Sequence, residues 1–223
     1  MESEVTEPAA RGEADGVVRG AELVDLARLY DEQVMLVTVP TPPGPDALRH
    51  AEALAAGALG HSSVKVATPD GVPDAGALRE LAAADEEHAQ AWVSYLVQVT
   101  GLFAELLGAD VVGVRQVVAE GPHCPRFHVD QVLARGVLNV TGACTEWIGE
   151  ADLDRSRLGH AGGPDDRTSG LVLRWDRVER AEPGTLAVFK GTAWPGAAER
   201  AIVHRSPPTD GGRRVVLTLD WLE

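Results

Sequence analysis

Cysteine is scarce in this chain. Cys124 and Cys144 are the only two among 223 residues, too few for a disulfide framework. Positive charge is also short. Twenty Lys and Arg stand against 34 Asp and Glu, for a formal charge of -14. A field of that sign repels a phosphate backbone, so nucleic acid is excluded as a general partner. Arg213-Arg214 is the local exception. No apolar run approaches the ~18 residues of a membrane span, and the polar, acidic start carries no secretory pattern. A reducing cytoplasm is the expected location, with no membrane partner. No Gly-x-Gly-x-x-Gly follows a strand, which removes the dinucleotide fingerprint. No Gly-x-Ser-x-Gly elbow occurs, and no internal repeat is visible.

Hydrophobic residues make up 44% of the chain, enough for a proper core. Residues 1–20 are rich in Glu, Ala and Gly and lack aromatics, so they are expected to form a disordered acidic tail. Residues 21–223 are expected to form one domain, with helices mainly in 21–108 and the main β region in 109–223. A short helix is predicted over 22–30 and a β segment over 34–39. A second helix over 46–56 would be capped by Asp46 and ended by Gly57. The segment from there to Gly71 has no clear pattern. The strongest helix spans 85–107. Trp92, Leu96, Thr100, Phe103 and Leu107 form one stripe, and Gly108 ends it.

Beyond Gly108 the period changes. Segments 111–118, 126–133, 136–141, 171–178, 185–189, 201–205 and 213–222 are short and β-branched or apolar. Gly, Pro and Asp separate most of them, and little helical pattern intervenes. This predicts a mainly β sandwich or barrel with flanking helices. The glycine-rich 155–170 stretch is expected to be a mobile loop.

The chemistry concentrates in Phe127-His128-Val129-Asp130 and, far downstream, His204. Alternate strand residues share a face, so one strand would present His128 and Asp130 together. Two imidazoles and a carboxylate are the ligand set of a non-heme Fe(II) site with open positions. Zinc accepts the same donors in tetrahedral geometry, and the sequence does not choose between the metals. The competing reading makes both histidines buried, hydrogen-bonded core residues.

Arg213 and Arg214 open a final apolar run. Arg213 shares parity with Val215, Leu217 and Leu219. Arg214 shares it with Val216, Thr218 and Asp220. A guanidinium matches a carboxylate bidentately. Arg214 with Thr218 is therefore the leading anion clamp, and Arg213 the alternate. Cys124 is read as a fourth ligand or an inert thiol, and Cys144 as structural. Trp147, Lys190 and Trp194 are candidate pocket residues. The residues name no substrate, small molecule or protein, and no oligomeric state.

Cys124-Pro125-Arg126-Phe127-His128-Val129-Asp130, Thr145-Glu146-Trp147 and His204-Arg205-Ser206-Pro207-Pro208 resemble an uncharacterised bacterial domain-of-unknown-function family linked to zinc-homeostasis loci. That resemblance implies, as one function, a non-catalytic metal-binding protein of zinc homeostasis. More distantly, the His-x-Asp, distal His and following Arg are similar to 2-oxoglutarate/Fe(II)-dependent dioxygenases. This likeness implies a double-stranded β-helix, also called a jelly roll. It makes His128, Asp130 and His204 iron ligands, and Arg214 or Arg213 the clamp on 2-oxoglutarate. Those enzymes carry a small hydroxyl residue two positions after the arginine, where this chain has Val215 or Val216. A 2-oxoglutarate-dependent oxygenase is the leading functional expectation.

Overall fold

Alternation along the last strand organises the molecule. In the computed structural model, which describes residues 15–82, 87–159, 165–208 and 211–222, that strand spans Arg214–Leu222. Val215, Leu217 and Leu219 are fully buried on one face, in the core that the helices cover. Arg214, Val216 and Thr218 project from the other face, because strand side chains alternate.

Ten strands are present among the described residues: β1 Val17–Arg19, β2 Leu36–Pro40, β3 Gly60–Ala67, β4 Val111–Ala119, β5 Ala134–Thr141, β6 Glu146–Ile148, β7 Glu179–Arg180, β8 Thr185–Lys190, β9 Val203–Arg205 and β10 Arg214–Leu222. Seven form one sheet in the order β1-β2-β8-β5-β10-β4-β3, and three form a second in the order β7-β6-β9. All pairs in the large sheet are antiparallel except β1 with β2. The fold is mainly β, a jelly roll with flanking helices, as expected.

Among the described residues, three α-helices precede β4: α1 Pro45–Ala56, α2 Ala75–Arg79 and α3 Ala89–Leu107. α3 buries Trp92, Leu96, Thr100 and Phe103, the predicted stripe, while Leu107 is half-buried. Gly108 ends it in the left-handed region at φ 61°. Indole Nε1 of Trp92 donates to Oε1 of Gln116 at 2.9 Å, tying α3 to β4. Val37, Val39, Leu138, Leu186, Val188 and Leu217 complete this core beneath the helices. A second apolar cluster, including Leu36, Val137, Trp147, Phe189 and Ile202, lies on the opposite side of the large sheet. No described helix is long and apolar enough to cross a membrane.

Several expectations need correction. Residues 1–14 of the acidic tail lie outside the described residues, but Val17–Arg19 is a strand hydrogen-bonded to β2. The β segment expected over 34–39 is β2, and β3 fills the segment after Gly57 that showed no pattern. Its exposed edge position needs no apolar run, which hid it. Gly44, not Asp46, caps α1; Asp46 sits in the first turn and pairs with Arg49. Asp85 and Glu86 lie outside the described residues, and α3 begins at Ala89. The 171–178 segment gives an isolated bridge, Leu153 to Val172, and a 3-10 turn at Trp175–Arg177. The 126–133 segment is not a regular strand; His128 alone bridges, to His204. Of the 155–170 loop, 160–164 lie outside the described residues. Asp166 is buried and anchors its neighbours.

Candidate metal centre

His128 and His204 meet through their backbones. The amide of His128 donates to the carbonyl of His204 at 2.9 Å, and the reciprocal bond is 3.0 Å. Residues paired this way across antiparallel chains carry their side chains on the same face. The imidazole centroids are accordingly 4.5 Å apart. Asp130 completes the group, and the three candidate donor atoms lie within 4.8 Å of one another. Nε2 of His128 is 3.6 Å from Oδ1 of Asp130, and Nε2 of His204 is 3.4 Å from Oδ2. Two donors about 2.1 Å from one ion sit roughly 3.0 Å apart at a right angle and about 3.4 Å apart at a tetrahedral angle. The two His–Asp spacings, 3.6 and 3.4 Å, lie near the tetrahedral value.

The tautomers also suit a metal. Nδ1 of His128 faces the carbonyl of Arg126 at 2.9 Å, and Nδ1 of His204 faces that of Ile202 at 3.2 Å. A carbonyl only accepts, so each Nδ1 carries a proton, and in the neutral ring each Nε2 presents a lone pair inward. Arg135 of β5 holds Oδ1 of Asp130 at 3.0 Å. Oδ2 is buried and has no hydrogen-bond partner. A buried orphan acceptor is costly, and a cation beside it would remove that cost. Burial alone would raise the Asp130 pKa. The His128 and His204 rings beside it, and the positive charge of Arg135, outweigh it and hold the carboxyl well below the usual range. Burial would lower the His128 pKa, but Asp130 and the Arg126 carbonyl prevail and raise it.

A layer of charged and aromatic side chains fixes these candidate ligands. The Asp166 carboxylate accepts from Nε of Arg126 and from the amide of Phe127, both at 2.8 Å. Arg205, next to His204, pairs with Glu146 at 2.8 Å and stacks on Phe127 at 4.4 Å. The loop thus clamps the first ligand segment against β9. On the other side, Gly191 meets the turn after Asp130. A Cβ there would lie 2.0 Å from the Val132 carbonyl oxygen. The next amide, Thr192, donates to the Asp130 carbonyl at 2.9 Å.

The triad opens into a small cavity of about 100 Å³, which Cys124, Val137, Asn139, Arg214, Val216 and Thr218 also line. Arg214 is 1% exposed. Its Nη2 donates to the Gly121 carbonyl at 3.0 Å, and its Nε is buried without a partner. No described carboxylate pairs with it, and burial lowers its pKa, opposed by the thiols of Cys144 and Cys124. A buried guanidinium lacking a counter-charge calls for an anion. Gly142, at φ +75°, permits the close approach; a Cβ there would lie 2.7 Å from Cβ of Arg214. The Thr218 hydroxyl is likewise buried and unpartnered.

Most of the other candidates fall away from this cavity. Arg213 is on the helical side and donates to the carbonyls of Ala55, Ala56 and Gly57 at 2.7–3.2 Å, closing the end of α1. Lys190 donates to the Asp31 carbonyl and lies 5.2 Å over the Trp194 ring. Trp147 packs in the second apolar cluster. Cys124 lines the cavity but is not in the ligand group. Burial, with Glu182 adding, pushes the Cys144 thiol up to about 11, so it stays protonated. Sequence reasoning missed Arg135, Arg126, Asp166 and Arg205. Arg135 carried a usable signal, since it shares parity with Val137 and Asn139 at the start of a predicted strand.

Residues 20–220 match the family described as "Protein of unknown function (DUF1826)". The chain belongs to DUF1826. No curated protein matches this DUF1826 chain significantly. Its fold is similar to that of a dioxygenase for auxin oxidation from rice, at TM-score 0.50 and 13% identity over 92% of this chain and 82% of that one. It is also similar to the corresponding Arabidopsis thaliana dioxygenase solved as a 2-oxoglutarate complex. There the TM-score is 0.53 and the identity 11%, over 92% of this chain and 91% of that one. At such identities the likeness establishes the jelly-roll fold, and the residues must carry the rest.

Proposed function

We propose that this DUF1826 chain is an Fe(II)- and 2-oxoglutarate-dependent oxygenase. One observation carries the reading: an orphaned carboxylate oxygen flanked by two inward imidazoles shares a cavity with a buried guanidinium that has no counter-ion. His128, Asp130 and His204 would hold the metal. Arg214 would hold the distal carboxylate of 2-oxoglutarate. When bound, Fe(II) with 2-oxoglutarate and dioxygen supplies oxidation of a substrate C–H bond, with succinate and carbon dioxide released.

The chain's residues prepare that chemistry. Arg135 occupies one oxygen of Asp130 and leaves the other for a single coordinate bond, while the Arg126 and Ile202 carbonyls hold the Nδ1 protons, so that each neutral ring offers Nε2 to a metal. Thr218 stands four residues along β10 from Arg214, about 13 Å by strand rise. It is paired with Val137 of β5, two residues from Arg135, and so marks the triad end of the slot. Val137 and Val216 wall it against water. The proposed location is a reducing cytoplasm, consistent with two free cysteines.

Anaerobic titration of Fe(II)-loaded protein with 2-oxoglutarate tests this. A metal-to-ligand charge-transfer band is expected in the wild type. Arg214→Met should raise the 2-oxoglutarate concentration needed for it by about tenfold or more, because the bidentate partner is gone. Metal binding without a band would overturn the mechanism.

A further inference from the structure

The cations around the cavity can be accounted for one by one. Arg135 is shared between Asp130 and Asp220. Arg205 is held by Glu146 and Asp166. Arg214 is assigned above to the cosubstrate. Arg115 of β4 remains. It lines the cavity and is exposed, and among the described residues it has no carboxylate partner.

Strand register shows where Arg115 stands. It lies directly opposite Thr218 of β10 on one side and Ser63 of β3 on the other. Lys65 is opposite Gly113, and His61 is opposite Val117. Directly opposed residues share a face, so His61, Ser63, Lys65 and Arg115 all stand on the cavity face. Val64 and Val66 turn to the helical core. The small sheet does not extend its pairing to this edge. A basic shelf therefore runs from the cavity mouth to the edge of a protein whose net charge is -14. The one carboxylate in these rows, Asp220, is engaged by both Nε and Nη2 of Arg135. Lys65 has no acidic partner among the described residues.

Size completes the argument. A cavity of about 100 Å³ is well below the ~300–1,000 Å³ of a full ligand site. With 2-oxoglutarate inside, a primary substrate must rest at the mouth, against Arg115. We infer that the primary substrate of this proposed oxygenase is an organic anion, a carboxylate or phosphate ester, whose acidic group docks on Arg115 and the β3–β4 shelf. This rests on the oxygenase reading.

Calorimetric titration of anaerobic Fe(II)- and 2-oxoglutarate-loaded protein with benzoate, phenyl phosphate and neutral benzyl alcohol tests it. At least one anion should bind more tightly than the alcohol. Arg115→Gln should weaken that anion about tenfold, and Arg115→Lys should restore part of the loss. The charge-transfer band, read in parallel, reports whether metal and cosubstrate are still held. Binding of neither anion, equal binding of the alcohol, or unchanged affinity in Arg115→Gln would overturn the inference. A wild type without the band would sink the oxygenase reading instead; the same Arg115→Gln comparison in metal-free protein would still judge the shelf.

Discussion

At the residue scale the site is a balance around Asp130. Its carboxylate is shared between Arg135, which takes Oδ1, and two imidazoles whose Nε2 atoms point at it. In metal-free protein, the raised His128 pKa favours the protonated ring. That stabilisation is fully present below the unfolded value near 6.5 and fades as pH rises through the folded pKa. The depressed Asp130 contributes stability above its unfolded value, lost only as pH falls through its low folded pKa. Protons compete with metal for His128. Metal affinity should therefore begin to fall at a higher pH than for an ordinary imidazole. In Asp130→Asn, affinity should drop by at least about 100-fold, and the titration of His128 in metal-free protein, followed by NMR, should shift to lower pH. An unchanged imidazole pKa in that variant would contradict the assigned cause. The sequence exposed both histidines and the carboxylate, because their chemistry is rare within apolar segments. Parity separated Arg214 from Arg213, and the structure places them on opposite faces as parity required. What stayed hidden was long-range pairing. Nothing local in Arg126, Asp166 or Arg205 shows that three separate segments form one charged layer.

Among elements, what matters is how irregular segments are held. The His128 segment is no regular strand, yet its position is fixed by one reciprocal backbone pair, by Asp166 and by the turn beside Gly191. Gly191→Ala would drive a methyl into the Val132 carbonyl, so backbone must shift beside Asp130. We expect a loss of metal affinity of roughly 10–100-fold, the range for disturbed support of a ligand, while far-UV circular dichroism stays native. Retained wild-type affinity would show that this turn does not position Asp130. The long apolar elements, α3 and β10, were legible because periodicity reports burial. The edge strand β3 and the ligand segment were not, since one is exposed along most of its length and the other takes its shape from distant contacts.

For the whole molecule, the large sheet separates two tasks. One face builds the helix-covered core; the other carries the buried arginine and the basic shelf and faces the candidate metal group of His128, Asp130 and His204. This division was readable in β10, where Val215, Leu217 and Leu219 alternate with Arg214, Val216 and Thr218. Membership of DUF1826 and the jelly-roll likeness fit that plan. They do not bear on the expected zinc-homeostasis role, and Cys124 stands outside the ligand group. The most direct test is a crystal structure of metal-loaded protein with anomalous data at the iron and zinc edges. The account predicts one iron peak within about 2.0–2.3 Å of His128, Asp130 and His204, with coordination positions open toward Arg214. A peak bound elsewhere, a zinc closed by Cys124, or no metal at the triad would contradict it.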